Sequence, residues 1–400
     1  MVLTDYNQFL GRHWETGSVS NYYPYRGVTA PHTGQPYSEA LLLGVSGGIV
    51  MGYFSFAYEG YDSMANILTR NTFDPWDTML GRLGVVQNVK QTGKPETGVK
   101  NLEETLVEGL PAIVWADMYS LPYNALPYDE GMWGMQPVVV YGYDRDNGQA
   151  WIADRSSAPL TVTSDELDAA RGRVKKVKNR LITLEPPDPD KLPAAVRKGI
   201  WDCIKLFTEA PPKGSKNNFG LAAYRWWSEL LTNPKARLSW EKEFPAGRKM
   251  YSGLTWAFNH INTFGNDGHA ERDLYAAFLD EASQILGKPA LQQVAGQFQD
   301  SAWAWDDLSS ALLPDHVAEF AETRRLMLRR HRLFLELGSA ALEDIQQVNA
   351  RLREIKTQVS ANFPLDDAGV VAMREDISRY VMRIHDIEME AIEALQSAMG

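Results

Sequence analysis

The stretch EPPDPDKLP, residues 185–193, separates two kinds of sequence. Proline fixes φ and carries no N–H, so a proline-rich, acidic segment interrupts regular structure and reads as a linker. Upstream lie short runs rich in Val, Ile, Tyr and Trp, such as PAIVWADMY, PVVVYGYD and QAWIAD, bounded by Gly, Pro and Asn-Gly. These are strand and turn signals. Downstream, apolar residues recur at helical spacing in FGLAAYRWWSELL, GHAERDLYAAFLDEASQIL and QDSAWAWDDLSSALL. A second proline-bearing stretch, APPKGSKNN, follows at 210–218. At 400 residues the chain is more typical of two domains than of one.

Within the upstream part, NLEETLVEGL predicts a helix ending at Gly109 that delivers a strand at Ala112. VVVYGYDRDNGQAWIAD predicts two strands joined around Asn147-Gly148, a strong hairpin signal. SDELDAAR opens a helix at Ser164, with Glu166 placed to complete a cap. The fold class is therefore α+β: residues 1–187 form a mixed domain with an antiparallel sheet, and an all-α part follows. The all-α part divides into a helical domain at 188–313 and a helical hairpin at 314–400. In the hairpin Phe334, Leu337, Ala341, Ile345, Val348, Leu352 and Ile355 step by three and four. After NFPLDD, Val370, Met373, Ile377, Val381, Ile384 and Ile387 do the same. Such stripes are usually core, with a homodimer through these helices as the alternative.

Charge and composition narrow the partners. A formal net charge of −11 opposes general affinity for nucleic acid or an anionic membrane. One cysteine, Cys203, cannot form an internal disulfide or a Cys-rich metal site, which fits a reducing cytoplasm. MVLTDYNQFLGRHWE lacks a charged start followed by an apolar run, so no signal peptide is expected. The longest apolar stretch, Leu41–Phe54, is too short for a bilayer and carries four glycines, Gly44, Gly47, Gly48 and Gly52. It lacks the Lys-Ser/Thr ending of a phosphate-binding loop and the GxGxxG spacing of a dinucleotide site, so it reads as closely packed backbone.

Several segments taken in order carry a resemblance. HWETGSVSNYYPYRGV, SEALLLGVSGGIVMGYFSF, ADMYSLPYN, VVVYGYDRDNGQAWIADR and PLTVTSDELDAAR resemble the N-terminal domain of the butirosin biosynthesis protein H family, a distant relative of papain-like and leader peptidases. NFGLAAYRWWSELL and GHAERDLYAAFLDEAS resemble the helical domain of unknown function that follows it there. The resemblance implies a papain-like α+β fold and acyl transfer: in the butirosin pathway an aminoacyl group moves from a carrier-protein thioester to an aminoglycoside amine. It implies a Cys directly after the His of the opening motif, a His near the start of the GYD strand, and an Asp in the ADR segment. Here the Cys position is Trp14 and the His position is Gln136, while Asp154 remains. Indole carries no nucleophile and an amide exchanges no proton near neutral pH, so a covalent Cys–His mechanism is excluded at these positions.

Two functions follow. One is acyl transfer, amide formation or cyclisation without a cysteine nucleophile, with His13, Glu15 and Asp154 as catalytic candidates for general base. The other is a catalytically inactive relative that binds a substrate, peptide or carrier and assists a partner enzyme. His13 and Glu15 also suit plain capping of the first helix. Substrate contacts are expected from Trp14, Asn21, Gln136, Tyr143 and Arg155, and from Arg272 and Tyr275 lining an interdomain pocket. Asn266 or Asp267 would cap the helix carrying Arg272. Cys203, among Ile, Leu and Trp, reads as a buried hydrophobe. The HDIEME segment, with His385 and Glu390, reads as a solvated helix face. No cofactor and no metal is expected. The basic run RGRVKKVKNR, 171–180, is either a charged sheet edge or a strip that steers an acidic carrier protein.

Overall fold

A computed structural model describes residues 1–126, 131–211, 216–263 and 268–400. The strands among them are β1 (Ile49–Phe56), β2 (Met64–Arg70), β3 (Gln87–Lys90), β4 (Ala112–Asp117), β5 (Met135–Asp144), β6 (Gln149–Ala153), β7 (Leu160–Thr163) and β8 (Leu181–Leu184). The chain forms two compact units, and both draw on separated segments. The first gathers Met1–Leu42, Leu80–Leu192 and Arg330–Gln347; the second gathers Leu43–Met79, Pro193–Arg329 and Val348–Gly400. One crossing, at 192–193, falls in the proline-rich stretch; others, at 42–43, 79–80, 329–330 and 347–348, fall inside helices.

The first unit is built on a six-stranded sheet in the order β3-β8-β4-β5-β6-β7, antiparallel throughout. The helix Pro95–Val107 stops before Gly109, which adopts φ +75°, and β4 begins at Ala112 as its sequence requires. β5 and β6 pair Asp144 with Gln149 across a turn that holds Asn147 and a left-handed Gly148. Asp144 fixes the turn by accepting from the Asn147 N–H at 3.0 Å. The helix Ser164–Gly172 is capped one residue earlier than expected: Thr163 accepts from Glu166 N–H and Glu166 accepts from Thr163 N–H, a full capping box. Ile113, Val114, Val139, Val140 and Ile152 are fully buried, so the central strands read as continuous apolar runs. The helix Trp14–Tyr22 lies against β5, where Ser18 Oγ donates to the Pro137 carbonyl at 2.9 Å.

The second unit is helical apart from the β1–β2 ribbon. Its glycine-rich segment packs closely, as the sequence indicates: a Cβ added to Gly44 would sit 2.2 Å from the Phe278 ring, and one on Gly199 only 2.0 Å from the Gly44 carbonyl oxygen. The C-terminal helix Asp367–Met399 lies against the helices Gly220–Thr232 and Ala290–Leu312 rather than against Leu342–Ala361. Its stripe is thus core, but not the inside of a hairpin. The stripe read from Phe334 to Ile355 is also two helices, because Gly338 takes φ +54° between Ala318–Leu337 and Leu342–Ala361. A side chain at Gly338 would collide with Leu160 and the Pro159 carbonyl. Among the described residues, no helix is long and apolar enough to cross a membrane.

Candidate functional site

His13 is the N-cap of the helix Trp14–Tyr22, in extended backbone and without a side-chain capping bond. Glu39 anchors that turn instead: its carboxylate accepts from Arg12 N–H at 2.6 Å, His13 N–H at 2.9 Å and Thr16 Oγ1 at 2.7 Å. Burial pushes the Glu39 carboxyl above its ordinary range even though these donors pull it down. His13 Nδ1 lies 2.8 Å from Glu15 Oε2, and its ring meets Trp14 edge-on at 5.4 Å.

Trp14 and Asp154 converge through Arg155. The guanidinium carbon sits 4.1 Å from the Trp14 ring centroid and 5.1 Å from that of Phe334. The same guanidinium donates to Asp154 at 3.3 Å and 3.4 Å and to Asn124 Oδ1 at 2.6 Å. Tyr123 supplies a further donor, its hydroxyl reaching Asp154 Oδ2 at 3.2 Å. Burial, and then the Asp154 carboxylate, push the Tyr123 hydroxyl well above its usual range, so it stays a donor. Exposure is 4% for His13, 7% for Trp14, 4% for Asp154 and 9% for Arg155, so the cluster is sealed by its own side chains.

Asn21 is wholly buried at the hinge of this arrangement. Its Oδ1 accepts from Leu10 and Gly11 N–H at 2.8 and 2.9 Å, and its Nδ2 donates to the Asp154 carbonyl at 3.0 Å. It therefore ties the N-terminal loop to the end of β6 and offers little to a ligand. Gln136 is half-buried on β5, beside the Pro137 carbonyl that receives Ser18. Tyr143 lies seven residues further along β5, roughly 23 Å at strand rise, where its hydroxyl donates to Asp168 at 2.7 Å. The structure does not bring it to this cluster.

Arg272 and Tyr275 lie in the second unit, and both are fully buried. Arg272 spends all its donors inside the protein: Nε and Nη2 on Glu388, Nη1 on the Thr69 and Ala270 carbonyls, and Nη2 also on the Val50 carbonyl and Tyr224 hydroxyl. Tyr275 packs beside Gly48 and Cys203. They build a core rather than a pocket wall. Asn266 and Asp267, expected to cap the helix Arg272–Leu286, lie outside the described residues, and the N-cap of that helix is Glu271, without a side-chain capping bond. Cys203 is buried, and burial pushes its thiol up to about 12, so it is an inert small hydrophobe.

Two charged segments differ from their sequence reading. Residues 171–180 are no sheet edge: they run from a helix end through a short turn into β8, which lies between β3 and β4. Arg171 is buried, donating to the Gly98 carbonyl at 3.1 Å, and Arg180 lies 4.5 Å from the Trp115 ring. Lys175, Lys176 and Lys178 remain exposed. In HDIEME, His385 and Glu388 are buried while Asp386 and Glu390 face solvent, because Glu388 falls on the apolar stripe that continues from Ile384. Sequence reasoning missed Glu388, Glu39, Tyr123, Asn124 and Phe334. A charge in phase with the stripe could have marked the first.

Among the described residues, no group of three or more His, Cys, Asp or Glu is placed to hold a metal ion. Residues 13–155 match the family model described as butirosin biosynthesis protein H, N-terminal, so the match runs from His13 to Arg155, both members of the cluster. Residues 13–155 thus form a butirosin biosynthesis protein H-type N-terminal domain. Residues 165–361 match a second model, described as a domain of unknown function (DUF4872). No curated protein matches the chain. The butirosin H-type domain makes this a protein related to antibiotic biosynthesis. Within it the resemblance implies a thiol at the position of Trp14, an imidazole at that of Gln136 and a carboxylate at Asp154.

Proposed function

We propose that this chain serves antibiotic-type biosynthesis as a catalytically silent member of its family. It binds an activated acyl or aminoacyl substrate, as such or on a carrier protein, and supports a partner enzyme. One observation carries the reading: Arg155 covers the Trp14 ring at 4.1 Å while holding the Asp154 carboxylate. Acyl transfer needs a nucleophile, and a base within hydrogen-bond reach of its proton. The indole supplies no nucleophile, the Gln136 amide moves no proton, and Asp154 is occupied by Arg155 and Tyr123. The exposed Lys175, Lys176 and Lys178, with Lys176 Nζ 5.3 Å from the ring of the exposed Trp133, suit the approach of an acidic carrier.

Incubating the protein with a carrier-bound aminoacyl thioester and an amine tests this. Intact-mass spectra are expected to show no acylated chain, and the thioester should decay no faster than with carrier alone. Reversing the three exposed lysines to Glu should slow carrier association about tenfold at low salt, with little change at high salt. The distance of 2.8 Å between His13 Nδ1 and Glu15 Oε2 favours a second reading. A carboxylate that orients an imidazole makes a base, which would take the amine proton as nitrogen attacks the thioester carbonyl and thiolate departs. Amide product that disappears in His13→Ala would establish that reading and overturn the first.

A further inference from the structure

We propose that the second unit holds a binding site for a single zwitterionic amino acid with an apolar side chain, a site distinct from the butirosin H-type cluster and additional to the function above. The observation is a pocket of about 280 Å³ lined by Asn71, Phe73, Asp202, Lys205, Leu206 and Glu209, with Ala210 at its end. One wall is a helix face. Asp202, Lys205, Leu206 and Glu209 recur at three- and four-residue spacing at the end of Leu192–Thr208 and just beyond it. The opposite wall follows β2, where Asn71 is fixed from both sides. Its Nδ2 donates to the Ser46 carbonyl at 2.7 Å, and its Oδ1 accepts from Phe73 N–H at 2.9 Å. The floor is preformed and apolar: Leu206 clusters with Val50 and Phe219, and the Phe73 ring packs on Phe219 at 5.4 Å.

Charge chooses the ligand class. Among the described residues, neither Lys205 nor Glu209 is engaged in an ion pair, and the two stand one helical turn apart at the rim of this apolar floor. A cation and an anion so placed complement an α-carboxylate and an α-ammonium on one carbon, with the side chain directed at Phe73 and Leu206. The volume is at the lower limit for small-molecule sites, roughly 300 Å³, which suits one amino acid rather than a peptide.

Calorimetric titration of the full chain with L-phenylalanine tests the site. Phenylalanine amide, which lacks the carboxylate, and N-acetylphenylalanine, which lacks the ammonium, should each bind about tenfold more weakly or worse. Lys205→Glu should abolish discrimination against the amide, and Ala210→Trp, at an exposed position, should close the pocket and remove binding. No heat with phenylalanine or leucine at millimolar concentration overturns the proposal. So does amide binding equal to that of the free amino acid, or binding that survives both substitutions. These results leave the thioester experiment untouched, so the two readings fail separately.

Discussion

Arg272 and Arg155 each pair with a carboxylate and lie over a tryptophan, 5.0 Å from Trp305 and 4.1 Å from Trp14 respectively. Around Arg272 every donor is matched, and its partner Glu388 also accepts from Ser301 at 2.7 Å, Trp305 at 3.0 Å and Tyr224 at 2.6 Å. Around Arg155 the contacts to Asp154 are longer, 3.3 and 3.4 Å, and the side chain keeps some access to water. The difference separates two uses of one pairing. A wholly buried ion pair holds a core because either member alone would be an uncompensated charge. The looser pair stacks across an indole and fills a position that, in the resembling chemistry, has to stay open.

Substitution tests that contrast. Glu388→Ala strands the Arg272 charge and should cost about 3–5 kcal/mol of unfolding free energy by urea titration. A loss under about 1 kcal/mol would erase the distinction. Arg155→Met, which keeps the aliphatic stem, should cost only about 1–2 kcal/mol, from the ring contact and the charged hydrogen bonds. A smaller effect is expected from acid. Burial favours the neutral Glu388 carboxyl, but Arg272 and the other donors outweigh it and hold the group below its ordinary 4.5. A carboxyl depressed in the folded state contributes stability above its unfolded value, and that contribution is lost as pH falls through the folded one. The stability gap between the native chain and Glu388→Gln should therefore narrow below about pH 4.5; a gap independent of pH would mean that Glu388 is not held ionised.

Elements specified by local chemistry were legible in the sequence. The Asn147-Gly148 turn, the helix opening near Ser164, the strand at Ala112 and the packed glycines around Gly44 each follow from a few adjacent residues, although the cap itself falls on Thr163 rather than Ser164. What escaped depends on neighbours remote in the chain. Gly338 interrupts an unbroken apolar stripe because Leu160 and Pro159 lie against it. Arg171 is buried within a basic run because the Gly98 carbonyl receives it. The interleaving of the two units leaves no local mark, since most crossings occur inside helices whose periodicity continues through them. Of the candidate site, the residues Trp14 and Asp154 were readable from the sequence, whereas Arg155 acting as the cover over Trp14 was not, because no spacing rule relates residues 14 and 155.

The Asn21 side chain has a dynamic consequence. Its carbonyl oxygen takes the amide protons of both Leu10 and Gly11, and its amino group grips the far end of β6. Those two protons share one latch, so deuterium should enter both in a single correlated opening that also loosens the Asp154 carbonyl.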